Sequence, residues 1–368
     1  MALAGVTGAG IALVLNSGSS SLKFAAFDVA GPDGRAIVAG QVDPADGAAA
    51  FTAIDAALVQ AGASSPIAVG HRIVHGGPRL LRHCRVDDAV IRALEAAEPF
   101  APLHVPAALK LLEAVTARYP GCPQITCFDT AFHADMPDVA RTLPIPLSLR
   151  DEGIHRYGFH GLSCESIVAQ LGDDLPARLV IAHLGNGASV TAVRNGRSVD
   201  TSMGLTPTGG VVMSTRTGDL DPGVLIHLMR ARGCGPEEIE RLVDKEAGLL
   251  GISGRSGDMR VLHAASPDVG ADLAVSMFCR SVAKQIAAMM TALGGADVIV
   301  FTGGIGEHDP VVRARICNDL GWAGVRLATP EDPAPSACVA ITLPSQEERQ
   351  IARHVRAILG EQASERDR

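Results

Sequence analysis

Followed as apolar and polar positions, the chain runs through the same pattern twice. An apolar run over 11–15 stops at Asn16-Ser17-Gly18, and a second run over 22–29 resumes after a serine-rich tip, which predicts a β-hairpin. Residues 36–42 read as a third strand, 50–61 carry helical spacing, and 67–74 read as a strand. Residues 105–118 predict a helix with Pro106 in its first turn. Residues 125–128 predict a buried strand that ends at Asp129. Pro137, Pro144 and Pro146 then punctuate the chain and place a domain boundary near residue 147. The pattern restarts with an apolar run over 179–184, ended by Gly185-Asn186-Gly187. A strand over 188–193, a tight turn at Asn195-Gly196 and a strand over 197–201 follow. Helices are predicted near 222–232, 236–246 and 270–292. Residues 298–301 predict a buried strand ended by Thr302-Gly303-Gly304. A closing helix is expected over about 345–359, with Ser345 as N-cap and Glu348 completing a capping box. The repeat is one of architecture, not of sequence.

Length and composition narrow the class. At 368 residues two domains are expected. An apolar fraction of 47% supports sizeable cores and excludes a wholly disordered chain. The 32 Lys and Arg against 40 Asp and Glu leave a net charge of -8, with no dense basic run. That balance argues against nucleic acid or an anionic membrane as the main partner. No Lys or Arg precedes the short 11–15 run, so it reads as a buried strand rather than a signal peptide. No run of apolar residues is long enough to predict a membrane span. The eight cysteines include no C-x-x-C pair and read as buried, reduced and cytosolic.

Candidate chemistry gathers where strands end. Asn16 to Lys23, His183 to Ser189 and Thr302 to Glu307 each place a glycine turn after an apolar strand. Such turns let a phosphate approach backbone N–H groups. None is a Walker A loop or a G-x-G-x-x-G fingerprint, and each alone reads equally well as an ordinary turn. Arg72 reads either as an anion ligand or as a surface charge. His71 and His75 share a strand spacing, but no third metal ligand accompanies them. Asp129 follows a buried strand, where open α/β sheets carry active-site groups, or caps the next helix. His160 stands between glycines and aromatics. Asp200 to Gly223 is a long polar loop with Arg216 among small residues, in which Asp219 and Asp221 read as helix caps.

Together these segments resemble the acetate kinase family (acetate, propionate and butyrate kinases). They match in family order across nearly the whole chain: Leu15 to Phe24, His71 to Gly77, Phe128 to His133, Tyr157 to Gly161, His183 to Ser189, Asp200 to Pro222 and Phe301 to Glu307. The resemblance implies an α/β fold of the actin, Hsp70 and sugar kinase type, with two related domains around a nucleotide cleft that closes over its substrates. The first domain would span 1–147 with the C-terminal helix, 348–368, and the nucleotide-binding domain 148–347. It implies reversible, Mg²⁺-dependent phosphoryl transfer from ATP to acetate (Mn²⁺ in place of Mg²⁺ is compatible), in a cytoplasmic homodimer. By resemblance, Arg72 and Arg216 hold the carboxylate and the phosphoryl group, His160 hydrogen-bonds the phosphoryl, and Asp129 matches the family's catalytic acidic residue, acting through metal and orientation. Asn16 and Glu347 match the Mg²⁺ site. Lys23 and the turn His183, Leu184, Gly185, Asn186 and Gly187 would meet ATP phosphates. Asp258, Met259 and Arg260, with Gly304, Ile305, Gly306, Glu307 and His308, would line the adenosine. Val74, Leu103, Phe159 and Pro207 match the pocket for the acyl methyl group. Thr208-Gly209-Gly210 and His308 depart from the family pattern, which often has an acidic residue before the second glycine and Asn after Gly-Ile-Gly-Glu. A non-catalytic ATP-binding scaffold would explain the turns but not Arg72, His160 and Arg216 together. A polyphosphate-hydrolysing relative would call for a basic channel that this composition lacks.

Overall fold

Twelve strands form two six-stranded sheets in a computed structural model of the chain, which describes residues 10–18, 21–29, 36–43, 47–102, 104–328 and 338–366. The chain divides into two units. The first holds the described residues up to Ala134, then Gly161–Ser166, then those from Gln346. The second holds Asp135–His160 and Ile167–Ser345. The crossing thus comes at Ala134 and not near residue 147. Pro137 and Pro146 lie inside the second unit, where each precedes a short helix, Asp138–Arg141 and Leu147–Asp151.

In the first unit, β1 (Ile11–Ser17), β2 (Leu22–Asp28), β3 (Ala36–Val42), β4 (Pro66–Ile73), β5 (Cys84–Arg85) and β6 (Gln124–Phe128) lie in the order β3-β2-β1-β4-β6-β5. β1, β2 and β3 make an antiparallel meander, and β1, β4 and β6 run parallel. In the second unit, β7 (Arg178–Leu184), β8 (Ala188–Arg194), β9 (Arg197–Thr201), β10 (Val298–Thr302), β11 (Arg326–Leu327) and β12 (Val339–Thr342) lie in the order β11-β12-β10-β7-β8-β9. Here β7, β8 and β9 make the meander, and β7, β10 and β12 run parallel. The two orders coincide strand for strand. They differ only at the last edge, where β5 is antiparallel to β6 and β11 is parallel to β12.

The central strands β1, β4 and β6 of the first sheet are buried on both faces, and alternation along each strand assigns its side chains. Ile11, Leu13 and Leu15 of β1 pack with Phe51, Ile54 and Leu58 of the helix Gly47–Gln60 and with Val115 of the helix Val105–Arg118. Ala12 and Val14 face the other way, onto Ile351, Ala352 and Val355 of the C-terminal helix, Glu347–Arg366. Ala68 of β4 and Ile125 and Cys127 of β6 belong to that second face too. Gly70 is what lets the C-terminal helix lie close: a Cβ there would come within 2.6 Å of both Ile351 Cγ2 and Val355 Cγ2. That helix starts at Glu347, so Ser345 is not its N-cap. The Ser345 N–H is instead taken by Glu307 Oε1 at 2.9 Å, and the Gln346 N–H by Ser166 Oγ at 3.2 Å.

Candidate active site

In the first unit the site is the next step of the same alternation. Asn16 follows Ala12 and Val14, Arg72 follows Ala68 and Gly70, and Asp129 follows Ile125 and Cys127. All three therefore stand on the C-terminal-helix face of the sheet, at the carboxyl ends of neighbouring parallel strands. The guanidinium of Arg72 forks onto Asp129: Nε lies 3.1 and 3.0 Å from the two carboxylate oxygens, and Nη2 lies 2.6 Å from Oδ2. Nη1 donates to Asn16 Oδ1 at 3.2 Å. The Asn16 amide then donates to Glu347 Oε2 at 3.0 Å and to Glu348 Oε1 at 2.9 Å. Asp129 caps no helix: the following 3-10 turn has Thr130 at its N-cap position and no side-chain cap.

One guanidinium here faces three carboxylates. Burial pushes the Asp129 carboxyl up to about 6, with Glu347 and Glu165 adding to the rise and the Arg72 fork opposing it. Burial also works against the Arg72 charge, but Asp129 and Glu347 outweigh it and raise the guanidinium further above its ordinary range. The donor set is oxygen only, from Asp129, Glu347, Glu348 and Asn16, in excess negative charge. That is the chemistry a hard divalent cation requires. Glu348 was absent from the sequence-based set; its place one residue after Glu347 on a helix that starts there was the available signal. Lys23 on β2 is exposed, Val74 is half-buried, and Leu103 lies outside the described residues.

The second unit builds its half from glycine and imidazole. His160 is buried and sits in the left-handed region, φ 58° and ψ 26°. A non-glycine residue held there costs about 1–3 kcal/mol. Neighbouring contacts fix its ring: Nδ1 lies 3.0 Å from Ser189 Oγ, and the ring stacks on His183 with centroids 4.2 Å apart. His183 and Ser189 are partners across the β7–β8 hairpin. A Cβ added to Gly187 would lie 3.2 Å from both Arg216 Nη1 and His160 Nε2. Arg216, His160 and the hairpin turn are thus brought together, and only glycine leaves both side chains their place. Arg216 Nη1 also donates to the Pro207 carbonyl at 3.3 Å. Gly185 N–H donates back to the Gly187 carbonyl at 3.0 Å, and the Asn186 carbonyl accepts from Ser214 N–H at 3.2 Å. Ser189 is a further residue that sequence reading missed; its hairpin register with His183 was the signal.

The remaining candidates divide between surface and core. Leu184, Phe159 and Met259 are buried in the second unit. Asp258 caps the helix Met259–Ala265 through Arg260 N–H at 2.9 Å and pairs with the exposed Arg260 guanidinium at 2.6 Å. Residues Gly303–His308 form a short helix, with Gly304 and His308 exposed, Ile305 half-buried and Gly306 buried. Glu307 is a structural tie: its Oε1 accepts from Gly303 N–H at 3.0 Å and Ser345 N–H at 2.9 Å. Asp221 caps the helix Pro222–Arg232 through Gly223 N–H, as expected. Asp219 does not; its Oδ1 accepts from Gly210 N–H at 2.7 Å and so closes the Thr208-Gly209-Gly210 turn.

Among the described residues no helix is long and apolar enough to cross a membrane. Residues 35–353 match the family model of the Acetokinase family. The chain is 43% identical to an acetate kinase of Micrococcus luteus, over 93% of this chain and 98% of that protein. The crystal structure of Porphyromonas gingivalis acetate kinase superposes with a TM-score of 0.84 at 34% identity, covering 95% of this chain and all of that one. A propionate kinase from Francisella tularensis superposes with a TM-score of 0.86 at 32% identity, covering 94% of this chain and 98% of that one. Family model, relatives and fold agree over nearly the full length, and the chain belongs to the acetokinase family.

Proposed function

We propose that the protein transfers the γ-phosphoryl group of ATP to acetate, reversibly, giving acetyl phosphate and ADP. The observation that carries this reading is the convergence of Asn16, Arg72, Asp129, Glu347 and Glu348 on one face of one sheet. Phosphoryl transfer asks the protein for positioning and charge neutralisation rather than covalent chemistry. An acetate oxygen attacks the γ-phosphorus as the bond to the ADP oxygen breaks. The acceptor is already an anion at neutral pH, so no strong general base is needed.

Arg72 holds the substrate carboxylate, and Asp129 keeps the guanidinium oriented for it. Arg216 and His160 donate to the oxygens of the transferring phosphoryl group, where negative charge redistributes. Lys23 and the turn His183 to Gly187 meet the ATP phosphates. Asp258, Met259 and Arg260, with Gly304 to His308, line the adenosine, Met259 and Glu307 through their backbone. Val74, Leu103, Phe159 and Pro207 bound the acyl methyl group. Asn16, Asp129, Glu347 and Glu348 would hold Mg²⁺, with Mn²⁺ a compatible substitute, and the ion would supply charge neutralisation at phosphate oxygens. One methylene in an apolar pocket is worth only about 1–3 kcal/mol, so propionate is accepted more slowly than acetate. The protein acts in the cytoplasm as a homodimer. The helix Pro222–Arg232 supports the dimer: none of its residues is buried, although Val224, Ile226 and Met229 are apolar. Acyl phosphate trapped as hydroxamate, from ATP and Mg²⁺ with acetate, propionate and butyrate in parallel, tests the reaction. Acetate-dependent product that vanishes in Arg216→Ala is expected. Nucleotide turnover indifferent to any carboxylate would overturn the reading.

A further inference from the structure

Behind the Asn16, Arg72 and Asp129 trio, within the same unit, lies a second polar group that the proposed reaction does not use. His83 Nε2 lies 3.3 Å from Glu165 Oε1, and His354 Nε2 lies 2.5 Å from Glu165 Oε2. Gln350 Nε2 adds contacts of 3.3 Å to Glu165 and 3.1 Å to His354. The two imidazole rings lie 3.9 Å apart, centre to centre. All three side chains are largely buried.

Two imidazoles and a carboxylate are also a ligand set for zinc. The proton on His83 decides against it. Phe128 N–H donates to His83 Nδ1 at 3.1 Å, so Nδ1 offers its lone pair and Nε2 carries the hydrogen. A metal on Nε2 would need that hydrogen moved to Nδ1, directly against the Phe128 N–H. The arrangement is instead a chain of hydrogen bonds: Phe128 N–H to His83, His83 N–H to Glu165, and His354 N–H to the other oxygen of Glu165. Burial holds His83 below its ordinary range and so favours its neutral form. Burial also works against the Glu165 charge, but the bonds from His354 and His83 prevail and bring that carboxyl down to about 2.

The ends of the chain matter more than its middle. Phe128 directly precedes Asp129. The helix that carries Glu165, Gly161–Leu171, begins with Gly161, whose N–H donates to the Asp129 carbonyl at 2.8 Å. His354 lies about two turns beyond Glu347 on the C-terminal helix. We propose that His83, Glu165 and His354 are positioning residues, a relay that fixes the Asp129 end of β6 to the helix bearing Glu347 and Glu348. The relay keeps the three carboxylates spaced around Arg72, and its effect on catalysis rests on the function proposed above.

Two variants of one residue separate hydrogen bonding from packing. His354→Gln keeps an N–H donor near Nε2 and loses the ring packed against His83; His354→Phe keeps the ring and loses the donor. Expected for His354→Phe is a fall in kcat of about tenfold, with KM for ATP within about twofold. Faster hydrogen exchange over residues 124–130 should accompany it, while His354→Gln stays near the parent on both measures. Glu165→Ala combined with His354→Phe should be no worse than Glu165→Ala alone. Loss in His354→Gln with retention in His354→Phe would reduce the cluster to packing and overturn the relay. So would parent-like kcat and exchange in both. One equivalent of zinc bound by the parent and not by His354→Phe would replace the relay with a metal site. If the parent phosphorylates no carboxylate, the reaction reading fails by itself, and the exchange of residues 124–130 still decides the relay.

Discussion

The two sheets share one strand order and carry opposite chemistry. In the first unit the strands β1, β4 and β6 end in Asn16, Arg72 and Asp129, an ion pair and an amide in one hydrogen-bonded network with the start of the C-terminal helix. In the second unit β7 and β10 end in Gly185 and Gly303, with His160 and Arg216 gathered at Gly187. Even the hairpins correspond: Asn16 opposes Lys23 in one and His183 opposes Ser189 in the other. Topology follows from apolar alternation in the strands, which both units have. Chemistry follows from the one or two residues that end each strand, where no packing constraint holds the residue type. One scaffold therefore serves a charge-bearing half and a backbone-bearing half.

If that division is right, losing the arginine of each half should have different consequences. Arg72→Ala strips the counter-charge from a fully buried Asp129. About 100-fold or more should be lost from kcat, together with about 3 kcal/mol of stability from the stranded carboxylate. Adding Asp129→Asn should return much of the stability and none of the rate. Arg216→Ala should cost a similar factor in kcat with a smaller loss of stability, since its contacts include the neutral Pro207 carbonyl in place of the forked carboxylate that Arg72 holds. Hydroxamate kinetics and urea unfolding on the same four proteins check both. Equal destabilisation by the two arginine variants would erase the contrast.

The glycine turns offer a finer comparison. Gly187→Ala drives a methyl group to 3.2 Å from both Arg216 and His160. A displacement of this kind next to the reacting centre should cost about 10- to 100-fold in kcat, with little change in unfolding midpoint. In the first hairpin, among the described residues, a Cβ on Gly18 meets the Ser21 carbonyl at 3.4 Å, an ordinary contact. Gly18→Ala should stay within about twofold of the parent rate. A large loss in Gly18→Ala would mean that the first turn, too, serves through its backbone.

Much of this was legible in the chain. The strands of both meanders, the long helices and the repeat follow from periodicity, because burial on both faces leaves continuous apolar runs. Asn16, Arg72 and Asp129 each stand in phase with a run of small apolar residues, so their common face was already implicit in spacing. What was not legible depended on contacts between distant segments. Glu307 read as a nucleotide contact, but its carboxylate is taken up by two backbone N–H groups. Ser345 read as a cap, but that same Glu307 claims its N–H. Asp219 read as a cap, but it closes a turn nine residues upstream. No local pattern announces such partners. The relay of His83, Glu165 and His354 joins three segments for the same reason.

Acid should separate the two halves most gently of all. Glu165, near 2 when folded and near 4.5 otherwise, stabilises the first unit above about pH 4.5 and loses that contribution as pH falls toward 2. His83 works in the same direction. Burial lowers its pKa, so the unfolded chain takes up a proton below about pH 6.5 that the folded chain resists. Asp129 works in the opposite direction. Its carboxyl, raised to about 6, is protonated earlier in the folded chain, so its destabilising share is relieved as pH falls from about 6 to 3.8. Asp129 therefore opposes the loss from His83 between about pH 6 and 4, and below about pH 4.5 stability should fall by on the order of 2 kcal/mol as Glu165 is protonated. The shifted carboxyls of Asp258, Asp268 and Asp297 in the second unit are surface pairs and caps, screened by solvent. Hydrogen exchange at pH 3.5 should therefore rise over residues 124–130 before it rises over β7 and β8. In Glu165→Gln, which has no charge to lose, that early opening should be present already at pH 6 and change little with acid. An exchange pattern that opens β7 and β8 first would place the acid-sensitive charges in the wrong unit.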